Sequence, residues 1–171
     1  MTGSRPRPEP VQVIKERRDR ALGALADAIP FVRFLGVRFE RRGNELTAIL
    51  PYRDALIGNP LLPALHGGAT GAFLEIAAQM EVTWAMVWER MEGGGREAEA
   101  IEAGAFPPAP KVIDITVDYL RTGLPRDAYA RARIVRRGRR YASVQVLAWQ
   151  DDSAKPHAGA TLHFLMPQGP G

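Results

Sequence analysis

Between Gly67 and Met91 the chain places Ala69, Ala72, Phe73, Ile76, Met80, Trp84, Val87, Trp88 and Met91 at steps of three and four, the spacing of one long, deeply buried helix. With so little polar surface, such a helix cannot lie on the outside of a protein, and the remaining chain has to wrap around it. Two features break the apolar pattern. The helix opens on His66-Gly67-Gly68, and between His66 and Met80 it carries a single acid, Glu75, nine positions after the histidine.

The material available for wrapping is mostly strand. LGVRFERR and ELTAILP alternate apolar with polar residues on either side of Gly43-Asn44, which reads as a hairpin. Beyond the long helix, VIDITVDYL, DAYARARIVRR, RYASVQVLAWQ and HAGATLHFLM all alternate with period two. In the last of these, Ala158, Ala160, Leu162, Phe164 and Met166 mark one face; His157, Gly159, Thr161 and His163 mark the other. Strands joined by short connections pair antiparallel. The expected fold is therefore α+β, an antiparallel sheet wrapped around one long central helix, with a helix over Val11–Ile29 that Pro30 ends. Residues 1–10 are expected as a disordered tail, residues 31–167 as the folded domain, and residues 92–110, rich in Gly, Ala, Glu and Pro, as a mobile loop within it.

Composition removes several classes of function. The 171-residue chain contains no cysteine, so disulfides, thiolate metal sites and thiol nucleophiles are out. No apolar run approaches the roughly 18 residues of a membrane span, and the N-terminus lacks the apolar stretch of a secretory signal. The expectation is a soluble, cytoplasmic protein with no membrane partner. A net charge of +4 favours polyanionic partners, either nucleic acid or a small molecule bearing phosphates. A nucleic-acid platform would interleave aromatics with the basic run RARIVRRGRR, and only Tyr141 is close; no nucleic acid is expected. His66, His157 and His163 make a conceivable metal trio, but nothing at ligand spacing supports it, and no metal is expected.

The hairpin, the NP…HGG entry, the acid nine residues after the histidine, and the VDYLR, RRGRR and AWQDD segments together resemble the hotdog-fold thioesterases of the phenylacetate-pathway type, over roughly Phe31 to Met166. That resemblance implies hydrolysis of acyl-CoA thioesters, no cofactor beyond the coenzyme A of the substrate, and a homodimer or dimer of dimers. It assigns the catalytic carboxylate to Glu75 and the amide that polarises the thioester carbonyl to Gly67 or Gly68. It also implies a substrate- or water-binding role for Asn59, although this chain has one extra residue between Asn59 and His66, and it puts Arg139 and Arg140 near the nucleotide.

The residues suit that chemistry. A thioester carbonyl gains negative charge in its tetrahedral transition state, and amides at a helix N-terminus stabilise such charge. Glycines there let a substrate approach the backbone. Glu75 supplies a nucleophile or general base, and Gln79, one turn later, is placed to orient it. Gly67 and Glu75 are eight residues apart, about 12 Å along one helix. They cannot both touch one carbonyl carbon. Two helices antiparallel across a two-fold axis would bring Glu75 of one subunit to Gly67 of the other.

Each residue also has a plainer reading. Glu75 fits a structural carboxylate that caps a neighbouring strand or pairs with an arginine, and His66 fits a ring that bonds loop backbone and sets the glycine turn, as well as a base. The arginine run fits a solvated hairpin around Gly138 as well as a phosphate clamp. Trp84 and Trp88 fit core or interface residues as well as a ligand box. For the whole chain the alternatives to a thioesterase are a non-catalytic acyl-CoA-binding protein on the same fold and a hydratase acting on enoyl or hydroxyacyl thioesters, whose paired Asp and His are not found.

Overall fold

The structure, a computed structural model, describes residues 9–168; residues 1–8 of the expected tail lie outside them. The chain runs α1 (Val11–Asp27), α2 (Pro30–Leu35), β1 (Arg38–Arg42), β2 (Glu45–Leu50), a 3₁₀ turn at Asp54–Leu56, β3 (Ile57–Asn59), β4 (Ala64–Leu65), α3 (Gly67–Gly93), α4 (Gly95–Glu102), β5 (Lys111–Tyr119), β6 (Ala128–Arg137), β7 (Tyr141–Trp149) and β8 (Ala158–Leu165). Six strands form one antiparallel sheet in the order β1-β2-β6-β7-β8-β5. The long helix α3 lies against it, burying Phe73, Leu74, Val82 and Val87 completely. Each such side chain contributes about 1.5–3 kcal/mol by leaving water. Among the described residues no helix is long and apolar enough to cross a membrane.

The expected hairpin forms, with Gly43 at φ +62° in a two-residue connection; a glycine there lets the turn follow the twist of its strands. Other expectations need correction. Pro30 interrupts the first helix but also begins α2, where its missing N–H costs nothing at the first helical position. The segment expected as a mobile loop, 92–110, contains α4. Ala98 and Ile101, three residues apart, turn one face of α4 inward, and Ile101 joins a cluster with Met91 and Leu22. The glycines around it cap rather than dissolve it: Gly94, Gly95 and Gly104 all have positive φ. His157, read as part of the last strand, lies just before β8 and is buried at 5 % exposure.

Side-chain size grades along the sheet and fixes how α3 lies on it. Ala48, Ala130, Ala148 and Ala158 face one another across β2, β6, β7 and β8, and Tyr119 completes that row on the edge strand β5. The next row is Ala132, Val146, Ala160 and Val117; then come Ile134, Val144, Leu162 and Ile115; Ala142, Phe164 and Val112 follow. Methyl-sized side chains leave room for backbone to approach, and α3 begins at the alanine end. There the Tyr119 hydroxyl donates to the Gly67 carbonyl at 2.7 Å. Twelve residues on, Gln79 Nε2 donates to the carbonyl of Pro110, just before β5, at 3.0 Å. Strand β5 is thus tied to α3 at both ends, and among the described residues no strand pairs with its outer edge.

Helix α1 closes the other side of α3. Arg18 stacks its guanidinium 3.4 Å from the centroid of Trp88, and Arg18, Arg41, Asn44, Glu81, Trp84 and Trp88 line a cavity of about 180 Å³. Trp84 is core, as one of the two sequence readings has it. Burial raises the Glu81 carboxyl to about 7. The folded state therefore holds a proton that the unfolded chain releases near 4.5, so stability falls as pH rises from there through 7. Glu81→Gln should raise Tm at pH 8 by about 2–6 °C and leave it unchanged near pH 4.5. Thermal melts at the two pH values check this, and an equal gain at both would refute it.

Candidate active site

His66 is the N-cap of α3, with extended backbone at φ −62° and ψ 132°, and its Nδ1 accepts the Gly68 N–H at 2.9 Å. An accepting Nδ1 leaves the ring proton on Nε2. The loop beneath is built to hold this histidine. A Cβ on Gly58 would lie 2.8 Å from His66 Cα, so only glycine fits there. The His66 N–H bonds Leu56 O at 2.7 Å, and Leu65 N–H bonds Gly123 O at 2.9 Å.

These contacts separate the two glycines. The Gly68 amide is committed to His66, whereas the Gly67 N–H has no acceptor among the described residues. It stands at the positive end of a 27-residue helix. Of the two amides proposed from sequence, only the Gly67 N–H is without an acceptor among the described residues.

Glu75 sits two turns further along, half-buried on the flank of α3. Among the described residues it has no hydrogen bond and no ion pair, so the structural reading of a carboxylate paired with arginine finds no arginine here. Gln79 requires a correction: its amide donates to Pro110 rather than to Glu75, because the chain re-enters the sheet within reach and presents an otherwise unpaired carbonyl. Because α3 is one uninterrupted helix, Gly67 and Glu75 of the same chain stay about 12 Å apart along its axis.

The remaining predicted residues are more scattered. Asn59 Oδ1 accepts from the Leu61 and Leu62 amides at 3.0 and 3.4 Å, shaping the turn between β3 and β4. Arg139 and Arg140 head the exposed turn between β6 and β7, closed by Gly138 N–H to Tyr141 O at 2.8 Å. With Arg136, Tyr141 and Ser143 they line a cavity of about 450 Å³. This turn lies at the end of the sheet where Gln79 meets Pro110, since Arg140 O accepts the Met166 amide just beyond β8. The three histidines do not converge: His163 pairs with Asp114 at 3.2 Å, and His157 is buried with neither ring nitrogen partnered among the described residues. Burial lowers the His157 pKa.

Tyr119 and Pro110 were missed as site residues. Tyr119 is 59 % exposed on the free edge strand, yet its hydroxyl lies at the mouth of α3. The period-two pattern of Ile115, Val117 and Tyr119 was the available signal, since it puts the tyrosine on the helix side of the sheet. Nothing in the sequence marks the carbonyl of Pro110.

Comparison with known proteins agrees with this architecture. Residues 59–165 match the family model described as the acyl-CoA thioesterase N-terminal domain. A protein of Chromobacterium violaceum is similar in structure at 35% sequence identity, covering 92% of this chain and 98% of its own with a TM-score of 0.61. A Shewanella oneidensis protein related to the thioesterase superfamily aligns at 22% identity and TM-score 0.70, over 92% and 99% of the two chains. The PaaI protein of the E. coli phenylacetic acid degradation operon aligns at 13% identity and TM-score 0.66, over 90% and 96%. A search of curated proteins found no match. The fold is the hotdog fold, and the chain belongs to the acyl-CoA thioesterase family.

Proposed function

We propose that the chain is an acyl-CoA thioesterase acting as a homodimer, with Glu75 of one subunit and the Gly67 amide of the other meeting at a single carbonyl. The observation that carries this reading is the arrangement of β5. Its C-terminal end holds Gly67 through Tyr119, its N-terminal end holds Gln79 through Pro110, and its outer edge is unpaired among the described residues. A nine-residue edge strand with Ile113 and Tyr119 exposed is a template for a further strand. Two copies pairing β5 to β5 antiparallel about Ile115 would set Tyr119 and Gly67 of one opposite Lys111 and Gln79 of the other, one turn from Glu75. That closes the 12 Å gap within a single chain.

In the proposed reaction the Gly67 N–H bonds the thioester oxygen as it becomes an oxyanion. Glu75 either attacks the carbonyl carbon, giving an anhydride that water opens, or removes a proton from an attacking water. Either route expels the thiolate of coenzyme A, which takes up a proton, and releases the free acid. His66 serves through its hold on Gly68 rather than as a base. Asn59 shapes the approach to the helix. Arg139 and Arg140, at the end of the sheet that faces the composite site in such a dimer, suit the phosphates of the nucleotide. A cytoplasmic setting goes with this reading. The test is release of free thiol across a panel of aliphatic and aromatic acyl-CoA esters; no turnover of any ester by a folded dimer would refute it.

A further inference from the structure

We infer that Tyr119 is a positioning residue for this reaction, clamping together with His66 the peptide that follows Gly67 and so steadying the glycine whose amide serves the reaction; the inference rests on the thioesterase reading. The peptide between Gly67 and Gly68 is held at both of its polar ends. Its carbonyl accepts from the Tyr119 hydroxyl at 2.7 Å, and its N–H donates to His66 Nδ1 at 2.9 Å. Two consecutive glycines would otherwise be the most freely rotating backbone at the mouth of α3. The Gly67 N–H itself belongs to the preceding peptide, whose carbonyl, that of His66, accepts the Thr70 amide at 3.0 Å; locking the following peptide restrains ψ of Gly67, so the glycine that carries the donor is held on both sides. Electrostatic stabilisation of an oxyanion depends on a donor already aimed before charge develops.

The surroundings of Tyr119 fit a dedicated role. A Cβ on Gly67 would sit 3.2 Å from the Tyr119 hydroxyl oxygen and 3.3 Å from its Cζ. A Cβ on Gly71 would meet the same oxygen at 3.7 Å. Glycines one turn apart thus form the bed on which the phenol lies. The alanine row that ends on Tyr119 brings helix and strand close enough for the bond. Replacing tyrosine by phenylalanine keeps the ring and removes only the donor.

The experiment uses the intact protein and its best acyl-CoA ester, with kcat, KM, Tm and the exchange rate of the Gly68 amide measured for wild type and Tyr119→Phe. The clamp calls for a drop in kcat of about 5- to 20-fold with KM and Tm nearly unchanged. It also calls for Gly68 amide exchange faster by at least about fivefold. A kcat within twofold of wild type, an unchanged exchange rate, or a loss of kcat that tracks a fall in Tm would overturn it. Gly67→Ala offers a second reading: it should be costly beside Tyr119 and much less so beside Tyr119→Ala, whereas strictly additive costs count against the clamp. If wild type hydrolyses no ester, the thioesterase reading fails by itself, and the exchange rate alone decides the clamp.

Discussion

Glu75→Gln should lower kcat on the best acyl-CoA ester by at least about a hundredfold while leaving Tm within a degree or two of wild type. The substitution keeps shape and hydrogen-bonding capacity but removes both the nucleophilic oxygen and the base. Little stability should be lost, because Glu75 is half-buried and has no hydrogen-bond or ion-pair partner among the described residues. The combination of a large kinetic effect with a small thermal one separates a catalytic acid from a structural one. A carboxylate holding the fold together would show the reverse. Full activity in Glu75→Gln would end the assignment of this acid, and a wild-type protein that binds acyl-CoA without turning it over would favour the non-catalytic alternative.

A comparable loss, again about a hundredfold or more, is expected for Gly67→Val. The added Cβ would start 3.2 Å from the Tyr119 hydroxyl, and the two methyls beyond it would crowd the approach to the amide. Gly68→Ala acts differently, because its Cβ would meet the His66 ring at 3.0 Å and disturb the cap rather than the unpaired donor. Activity close to wild type in Gly67→Val would show that the oxyanion is stabilised by some other group. Kinetics on folded, purified variants checks both glycines.

The sequence reading succeeded where a pattern repeats. Spacing along α3 and alternation in the strands gave the central helix, the hairpin and the four C-terminal strands, because burial on one face leaves a period that survives every local detail. It failed where single residues outweigh composition. Helix α4 was hidden because Gly94, Gly95 and Gly104 read as breakers, although they are caps for a short Ala- and Glu-rich helix. The candidate site was half legible. His66, Gly67, Gly68 and Glu75 lie on one continuous motif, so their neighbourhood follows from helix geometry alone. Gln79 was assigned to Glu75 because the two share a helix face, and its actual acceptor, Pro110, lies 31 residues away. The contact between Tyr119 and Gly67 spans 52 residues and depends on the register of β5 against β8, which no local pattern encodes.

The composite site is tested most directly by mixing two inactive variants, Glu75→Gln and Gly67→Val, in one dimer. In a heterodimer one site carries both defects, while the other combines the intact Gly67 of the first variant with the intact Glu75 of the second. Random assembly makes about half of the dimers mixed, and one of the two sites in each should work. Co-expressed variants should therefore recover about a quarter of wild-type activity. If dimers shown to be mixed and folded remain as inactive as either parent, Glu75 and the Gly67 amide do not meet across the β5 interface.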